Sequence, residues 1–163
     1  LTSLSKDLGV HKLTLARHVH YLEFAKLIKL VKNYRPSARA ESRKLRKIYP
    51  AHPALSLCYY PSLEPSKIAE NLTMAYMDLD KYWRRGGKEV DFLKVDDGLV
   101  PIEVKWKERI SRKDLRNLVY FMKRYGAKEG VVVYRGELAE DEVNGLRVTL
   151  LPLDLVCFGE VQT

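Results

Sequence analysis

The chain has 163 residues and a formal net charge of +8. Hydrophobic residues make up 46% and charged residues 31%, which excludes a disordered chain and provides for a core with room for a small additional unit. No apolar run is long enough to span a membrane, so no membrane partner is expected.

The charge is unevenly spread. Residues 1–50 hold 12 Lys and Arg against 3 Asp and Glu, whereas residues 51–163 hold 17 against 18. A basic first third beside a near-neutral remainder suggests that the first third meets a polyanion. A solvated Lys/Arg surface would give the same numbers. Cys58 and Cys157 show no metal-ligand spacing and read as buried, reduced thiols of a cytoplasmic protein. The opening residues show no signal-peptide pattern, and the start at Leu1 reads as the middle of a longer protein. A single glutamine, Gln162, among many opposite charges fits a thermophile.

In chain order, residues 3–8 predict a short helix, Gly9-Val10-His11 a tight turn, and residues 12–24 a second helix carrying Leu15, Val19 and Leu22 on one face. Helix, turn and helix at this spacing suggest a helix-turn-helix. Lys6, Lys12 and Arg17 could reach phosphates if the second helix enters a major groove. His11, His18 and His20 do not share one helical face and read as polar surface residues rather than ligands. A strand from Ile28 follows, a turn at Arg35-Pro36, and a return over residues 43–49 that would make a wing. Arg35, Arg39, Arg43, Lys44, Arg46 and Lys47 stand there against the single acid Glu41. These cations are the candidate DNA contacts.

Pro50, Pro53, Pro61 and Pro65 place a junction over residues 50–65. Beyond it, Ser66 could cap a helix to about residue 77. Strands are expected over 81–85, 88–95 and 99–106, joined at Gly86-Gly87 and Asp96-Asp97-Gly98. Ser111 with Asp114 resembles a capping box for a helix stopped by Gly126. Residues 130–134 read as a buried strand, 138–144 as a helix, and 147–151 as a late strand.

Alternation in the third strand of this part turns Ile102, Val104 and Trp106 one way and Glu103 and Lys105 the other. Asp91, on the preceding strand, can sit near Glu103. Two carboxylates held close repel unless a cation or proton is shared between them. A hard divalent ion, Mg²⁺ or Mn²⁺, suits such ligands, and Lys105 could orient water or stabilise phosphate charge. A solvated strand face with a cross-strand ion pair is the plain alternative.

Glu70, Asp91 and Glu103-Val104-Lys105 resemble the PD-(D/E)XK nuclease superfamily. More narrowly, Glu70-Asn71-Leu72, Tyr82-Trp83-Arg84, Glu89-Val90-Asp91-Phe92, Pro101-Ile102-Glu103-Val104-Lys105 and the late Leu151-Pro152-Leu153 are similar to the DUF4143 family. The nuclease-like resemblance covers residues 66–155, and a winged-helix resemblance covers 1–49. The resemblance implies an α/β chain: a small winged helix-turn-helix over 1–49, truncated at its N-terminus, a linker over 50–65, and a restriction-endonuclease-like αβββαβ mixed-sheet domain over 66–163. It implies Asp91 and Glu103 as metal ligands, Lys105 as the catalytic lysine, and Glu70 as an assisting acid. It also implies an upstream domain of an archaeal or bacterial AAA+-type ATPase. Val90 stands where the superfamily has proline, and the chain has no phosphate-binding loop of the Gly-x-x-x-x-Gly-Lys type. Two functions are therefore expected as alternatives. One is a divalent-metal-dependent DNA endonuclease with its own DNA-binding helices. The other is a catalytically inactive nuclease-fold tail that binds DNA or a partner protein. The sequence leaves the oligomeric state open, a homodimer among the options.

Overall fold

The computed structural model describes residues 2–36, 46–96 and 98–159. Arg39, Arg43 and Lys44, named above as candidate DNA contacts, lie outside the described residues. The elements run α1 (Thr2–Asp7), α2 (Lys12–Phe24), β1 (Ile28–Asn33), β2 (Arg46–Pro50), α3 (Pro53–Leu57), α4 (Pro65–Tyr76), β3 (Lys81–Arg85), β4 (Lys88–Val95), β5 (Leu99–Val104), α5 (Arg116–Tyr125), β6 (Glu129–Tyr134), β7 (Ala139–Val143), β8 (Leu146–Pro152) and α6 (Leu153–Phe158). None of these helices is long and apolar enough to cross a membrane.

Helix α2 has the bounds expected from its periodicity. His11 caps it, its Nδ1 accepting from the Leu13 N–H at 3.3 Å. Leu15 and Val19 of α2 pack on Leu30 and Ile28 of β1 in a small core of their own. Helix α4 starts with Pro65 in its first turn rather than with a Ser66 cap, because proline needs no N–H partner there.

All eight strands belong to one mixed sheet, ordered β2-β1-β3-β4-β5-β6-β8-β7. The hairpin β1–β2 is antiparallel, as a wing would be, but β1 also runs parallel to β3 through Lys32↔Lys81 and Asn33↔Tyr82. Asn33 secures that junction, giving Nδ2 to the Arg84 carbonyl at 3.2 Å and taking the Arg84 N–H at 3.1 Å. The sheet thus runs straight through the junction expected over residues 50–65, and that stretch holds α3. Val31 of β1 lies in one buried cluster with Phe92, Ile102 and Val133, and Tyr49 of β2 packs against it.

Helices cover both faces of the sheet. Met74 of α4 and Val156 of α6 close the cluster around Phe92 and Ile102. On the other face Leu118 and Met122 of α5 pack on Val132 and Val148, while Phe121 packs with Trp83, Val90 and Leu93. Gly130 lets β6 approach α5, since a Cβ there would lie 2.9 Å from the Met122 Sδ.

Four expectations are corrected. Residues 139–143 form the edge strand β7, not a helix; Asn144 and Gly145, both at positive φ, turn it into a hairpin with β8. Strand β5 ends at Val104, so Trp106 leaves the core face, is 40% exposed, and carries the Arg135 guanidinium 4.7 Å above its ring. Ser111 and Asp114 do pair, Ser111 giving its N–H at 3.0 Å and its Oγ–H at 2.6 Å to Asp114 Oδ2, but they shape a turn ahead of α5, which begins at Arg116. Cys58 is exposed and Cys157 half-buried; both are free thiols.

Candidate functional site

The site forms where α4, β2, β4 and β5 meet. Phe92↔Ile102 is a register pair of the antiparallel β4–β5 ladder, so Asp91 and Glu103 are neighbours one step further along. A bulge aims the aspartate. The β3–β4 register shifts between Lys81↔Leu93 and Trp83↔Val90, leaving Asp91 and Phe92 together opposite Tyr82. Asp91 then accepts the Val104 N–H through Oδ2 at 2.9 Å.

Glu103 is 2% exposed. Its Oε2 takes the Lys105 Nζ at 2.6 Å, while its Oε1 is buried with no hydrogen-bond partner. Burial and then the Asp91 charge push the Glu103 carboxyl up to about 8, against the pull of Lys105. Burial also raises Asp91, against the Val104 N–H and Lys105. Burial would lower Lys105, but Glu103 outweighs it and holds the ammonium above its usual range. Burial and mutual repulsion thus disfavour both carboxyls being charged at once, with Lys105 charged beside them.

Glu70 reaches this site from α4. The Tyr49 hydroxyl donates to its Oε1, Lys47 Nζ lies 3.4 Å from that same oxygen, and Lys67 Nζ lies 3.3 Å from Oε2. Burial would raise Glu70, but the Tyr49 hydrogen bond, Lys47 and Lys67 together bring it below the usual carboxylate range. Asn71, next to it, donates Nδ2 to the Pro50 carbonyl at 2.8 Å and ties α4 to the end of β2.

All four residues expected at the site, Glu70, Asp91, Glu103 and Lys105, are brought together. Three more were missed. Lys47 was expected among the phosphate contacts, yet its Nζ is 2.6 Å from Glu89 and joins that acid to Glu70. Burial would lower the Lys47 ammonium, but Glu89 and Glu70 outweigh it. Burial and the Glu70 charge raise the Tyr49 hydroxyl far above the phenol range, so it acts as a donor. Glu89 completes the set and holds Arg84 at 3.4 Å. The motif Glu89-Val90-Asp91-Phe92 already held Glu89; nothing local to residues 46–50 marks them as part of the site.

The other candidate DNA contacts stand apart. Lys6, Lys12 and Arg17 are exposed on α1 and α2, and Arg46 is exposed at the start of β2. Arg35 is half-buried and gives Nη2 to the Arg84 carbonyl at 2.9 Å.

Two hard oxygen donors, one of them with an orphaned buried oxygen, fit a divalent cation that takes few protein ligands and fills its shell with water and phosphate, as Mg²⁺ does. Among the described residues no group of three or more His, Cys, Asp or Glu is gathered to hold a metal by protein ligands alone. No curated protein and no solved structure matches the chain. Residues 76–156, from the end of α4 into α6, match the family model described as Domain of unknown function (DUF4143).

Proposed function

We propose that the chain is the DNA-cleaving part of a larger ATPase-associated protein, a divalent-metal-dependent phosphodiester hydrolase of the PD-(D/E)XK type. The observation that carries this reading is the Glu103 carboxylate, whose Oε1 is buried without a partner next to Asp91 while Lys105 occupies its Oε2. The order α4-β3-β4-β5-α5-β6 supports it, as does the placement of the four acids and bases on α4, β4 and β5. Asp91 and Glu103 would hold Mg²⁺ or Mn²⁺, which when bound polarises a phosphoryl oxygen. Lys105 keeps its proton and offers it, or its charge, to a phosphate oxygen. Glu70, kept ionised, anchors Lys47 and Tyr49 at the rim. The helices α1 and α2 with the β1–β2 hairpin read as a winged helix-turn-helix that docks on DNA through Lys6, Lys12 and Arg17.

A second reading rests on Lys47. Its ammonium already neutralises Glu70 and Glu89, so the cluster can stand without an added ion. On that reading the fold is an inactive scaffold that binds DNA or a partner protein. Incubation with duplex, single-stranded and branched DNA, with and without Mg²⁺ or Mn²⁺, separates the two. Ion-dependent cleavage is expected, lost on Asp91→Ala and on Lys105→Ala. Absence of cleavage on every substrate, together with no calorimetric Mg²⁺ or Mn²⁺ binding, establishes the scaffold reading instead.

A further inference from the structure

A second charged surface lies beyond Glu89, and its cations are not matched by acids. The turn Gly86-Gly87, with φ of +57° and +75°, sets Arg85 directly opposite Lys88 at the tip of the β3–β4 hairpin. Lys88 Nζ lies 4.6 Å above the Tyr120 ring of α5. One turn along, the Arg124 guanidinium lies 5.9 Å from the Tyr125 ring, and its Nη1 is 3.5 Å from the Tyr120 hydroxyl. The rings are fixed from below. Trp83 is fully buried and donates Nε1 to the Tyr125 hydroxyl at 3.0 Å, and Phe121 stacks on Tyr125 at 4.6 Å between centroids. Tyr34 meets the edge of Tyr125 at 6.1 Å. Burial would raise the Tyr125 hydroxyl, yet Trp83, Arg124 and Arg85 together hold it below the phenol range.

Arg35 lies on the other side of β3, beside Tyr82. Its Nη2 is spent on the Arg84 carbonyl, and its Nε is buried without a hydrogen-bond partner. Among the described residues, none of Arg85, Lys88 and Arg124 forms an ion pair with a carboxylate. Glu89, next to Lys88 in the chain, is shared between Lys47 and Arg84. Cations gathered around tyrosine rings suit a strand whose phosphates meet the cations and whose bases lie on the rings. A duplex keeps its bases stacked inside and has no use for the rings. Tyr120 is 37% exposed, which leaves part of its ring open to a base.

We propose that this face of the β3–β4 hairpin and α5 binds single-stranded nucleic acid, with Arg85, Lys88 and Arg124 on the phosphates and Tyr120 under a base. Arg84 and Glu89, one step along the hairpin, turn to its other face, toward Lys47. The proposal goes beyond the nuclease reading by adding a surface that takes unpaired strands. It is tested by binding alone, in EDTA, where cleavage plays no part, so its failure is separable from failure of that reading.

The test measures anisotropy of labelled single-stranded and duplex oligonucleotides with the full chain at several salt concentrations. The variant Arg85→Gln/Lys88→Gln/Arg124→Gln is compared with Lys26→Gln/Lys113→Gln/Lys128→Gln, which removes the same charge from exposed positions elsewhere. The hairpin–α5 variant is expected to bind single strands at least tenfold more weakly, with a salt slope smaller by about 0.7 for each phosphate that is no longer neutralised. The Lys26/Lys113/Lys128 variant retains wild-type single-strand binding. Tyr120→Ala weakens single-strand binding and leaves duplex binding unchanged, a readout that general charge attraction does not produce. Equal loss in the two triple variants reduces the effect to net charge and overturns the proposal. So does a Tyr120→Ala variant that binds single strands as the wild type does, with circular dichroism showing each variant folded.

Discussion

The molecule carries two charged regions a few residues apart on the same hairpin, and they differ in how their charges are met. Around Asp91 and Glu103, each cation has an acid: Lys47 has Glu89 and Glu70, Lys67 has Glu70, and Lys105 has Glu103. Around Tyr120 and Tyr125 the cations rest on aromatic rings and a tyrosine hydroxyl. Buried ion pairs contribute mainly through the cost of breaking them, whereas unpaired surface cations contribute little to folding and stay available to a ligand. The first region is thus coupled to stability and the second to binding.

The strongest way to probe that contrast is pH. A carboxyl whose pKa is raised on folding stabilises the fold fully below its unfolded value, and that contribution is lost as pH rises to the folded value. For Glu103 the window runs from the ordinary 4.5 to about 8. Asp91 shifts in the same direction, while the lowered Glu70 acts below its ordinary range and the raised Lys105 above its own. Unfolding in urea should show stability falling between pH 5 and 8 by up to about 1.4 kcal/mol per unit. Glu103→Gln should flatten the decline, and saturating Mg²⁺ should flatten it in the wild type if the carboxylates hold the ion. A wild-type curve level across this range would mean that Glu103 is solvated.

A smaller effect separates the two regions directly. Lys47→Ala leaves Glu70 and Glu89 without their shared cation; because the Lys47 side chain is still 24% exposed, the cost should be about 2 kcal/mol rather than the full penalty of a buried pair. Arg85→Ala, on the unpaired side, should stay within about 0.5 kcal/mol. Equal losses in urea denaturation would erase the distinction.

The two regions were also unequally legible in the sequence. Asp91, Glu103 and Lys105 could be read because strand alternation and a short β4–β5 connection act over few residues, and Glu70 followed from the resemblance. Lys47 and Tyr49 could not, because their place depends on β1 pairing in parallel with β3 some fifty positions later. Local pattern gave the β1–β2 hairpin but not its neighbour in the sheet. The bulge at Asp91 was equally hidden, since it lies in the register between strands rather than in either strand. Strand β7 was misread because Glu140, Asp141 and Glu142 carry no apolar alternation; on an edge strand the sheet does not demand it. Asn144-Gly145 is the hairpin turn that joins β7 to β8. The aromatic face joins Trp83 to Tyr120 and Tyr125 across different elements, a meeting that no local spacing encodes.

The smallest expected effect concerns the Gly86-Gly87 turn, which holds Arg85 opposite Lys88. Both glycines have positive φ, and no heavy atom lies within 4 Å of a Cβ added at either, so a substitution there meets backbone strain without a clash. Alanine at 87 must adopt φ near +75°, a left-handed conformation that costs a residue with a Cβ roughly 1 kcal/mol. For a chain of this size that corresponds to about 2–4 °C in Tm. Asparagine at 86 tolerates φ of +57° and is favoured in two-residue hairpins of this hand, so Gly86→Asn should leave Tm unchanged. If Arg85 and Lys88 act as a pair on one strand of nucleic acid, Gly87→Ala should also weaken single-strand binding two- to threefold, while Gly86→Asn should not. A Gly87→Ala variant with lowered Tm but wild-type affinity would show that the cations work independently of the turn that opposes them.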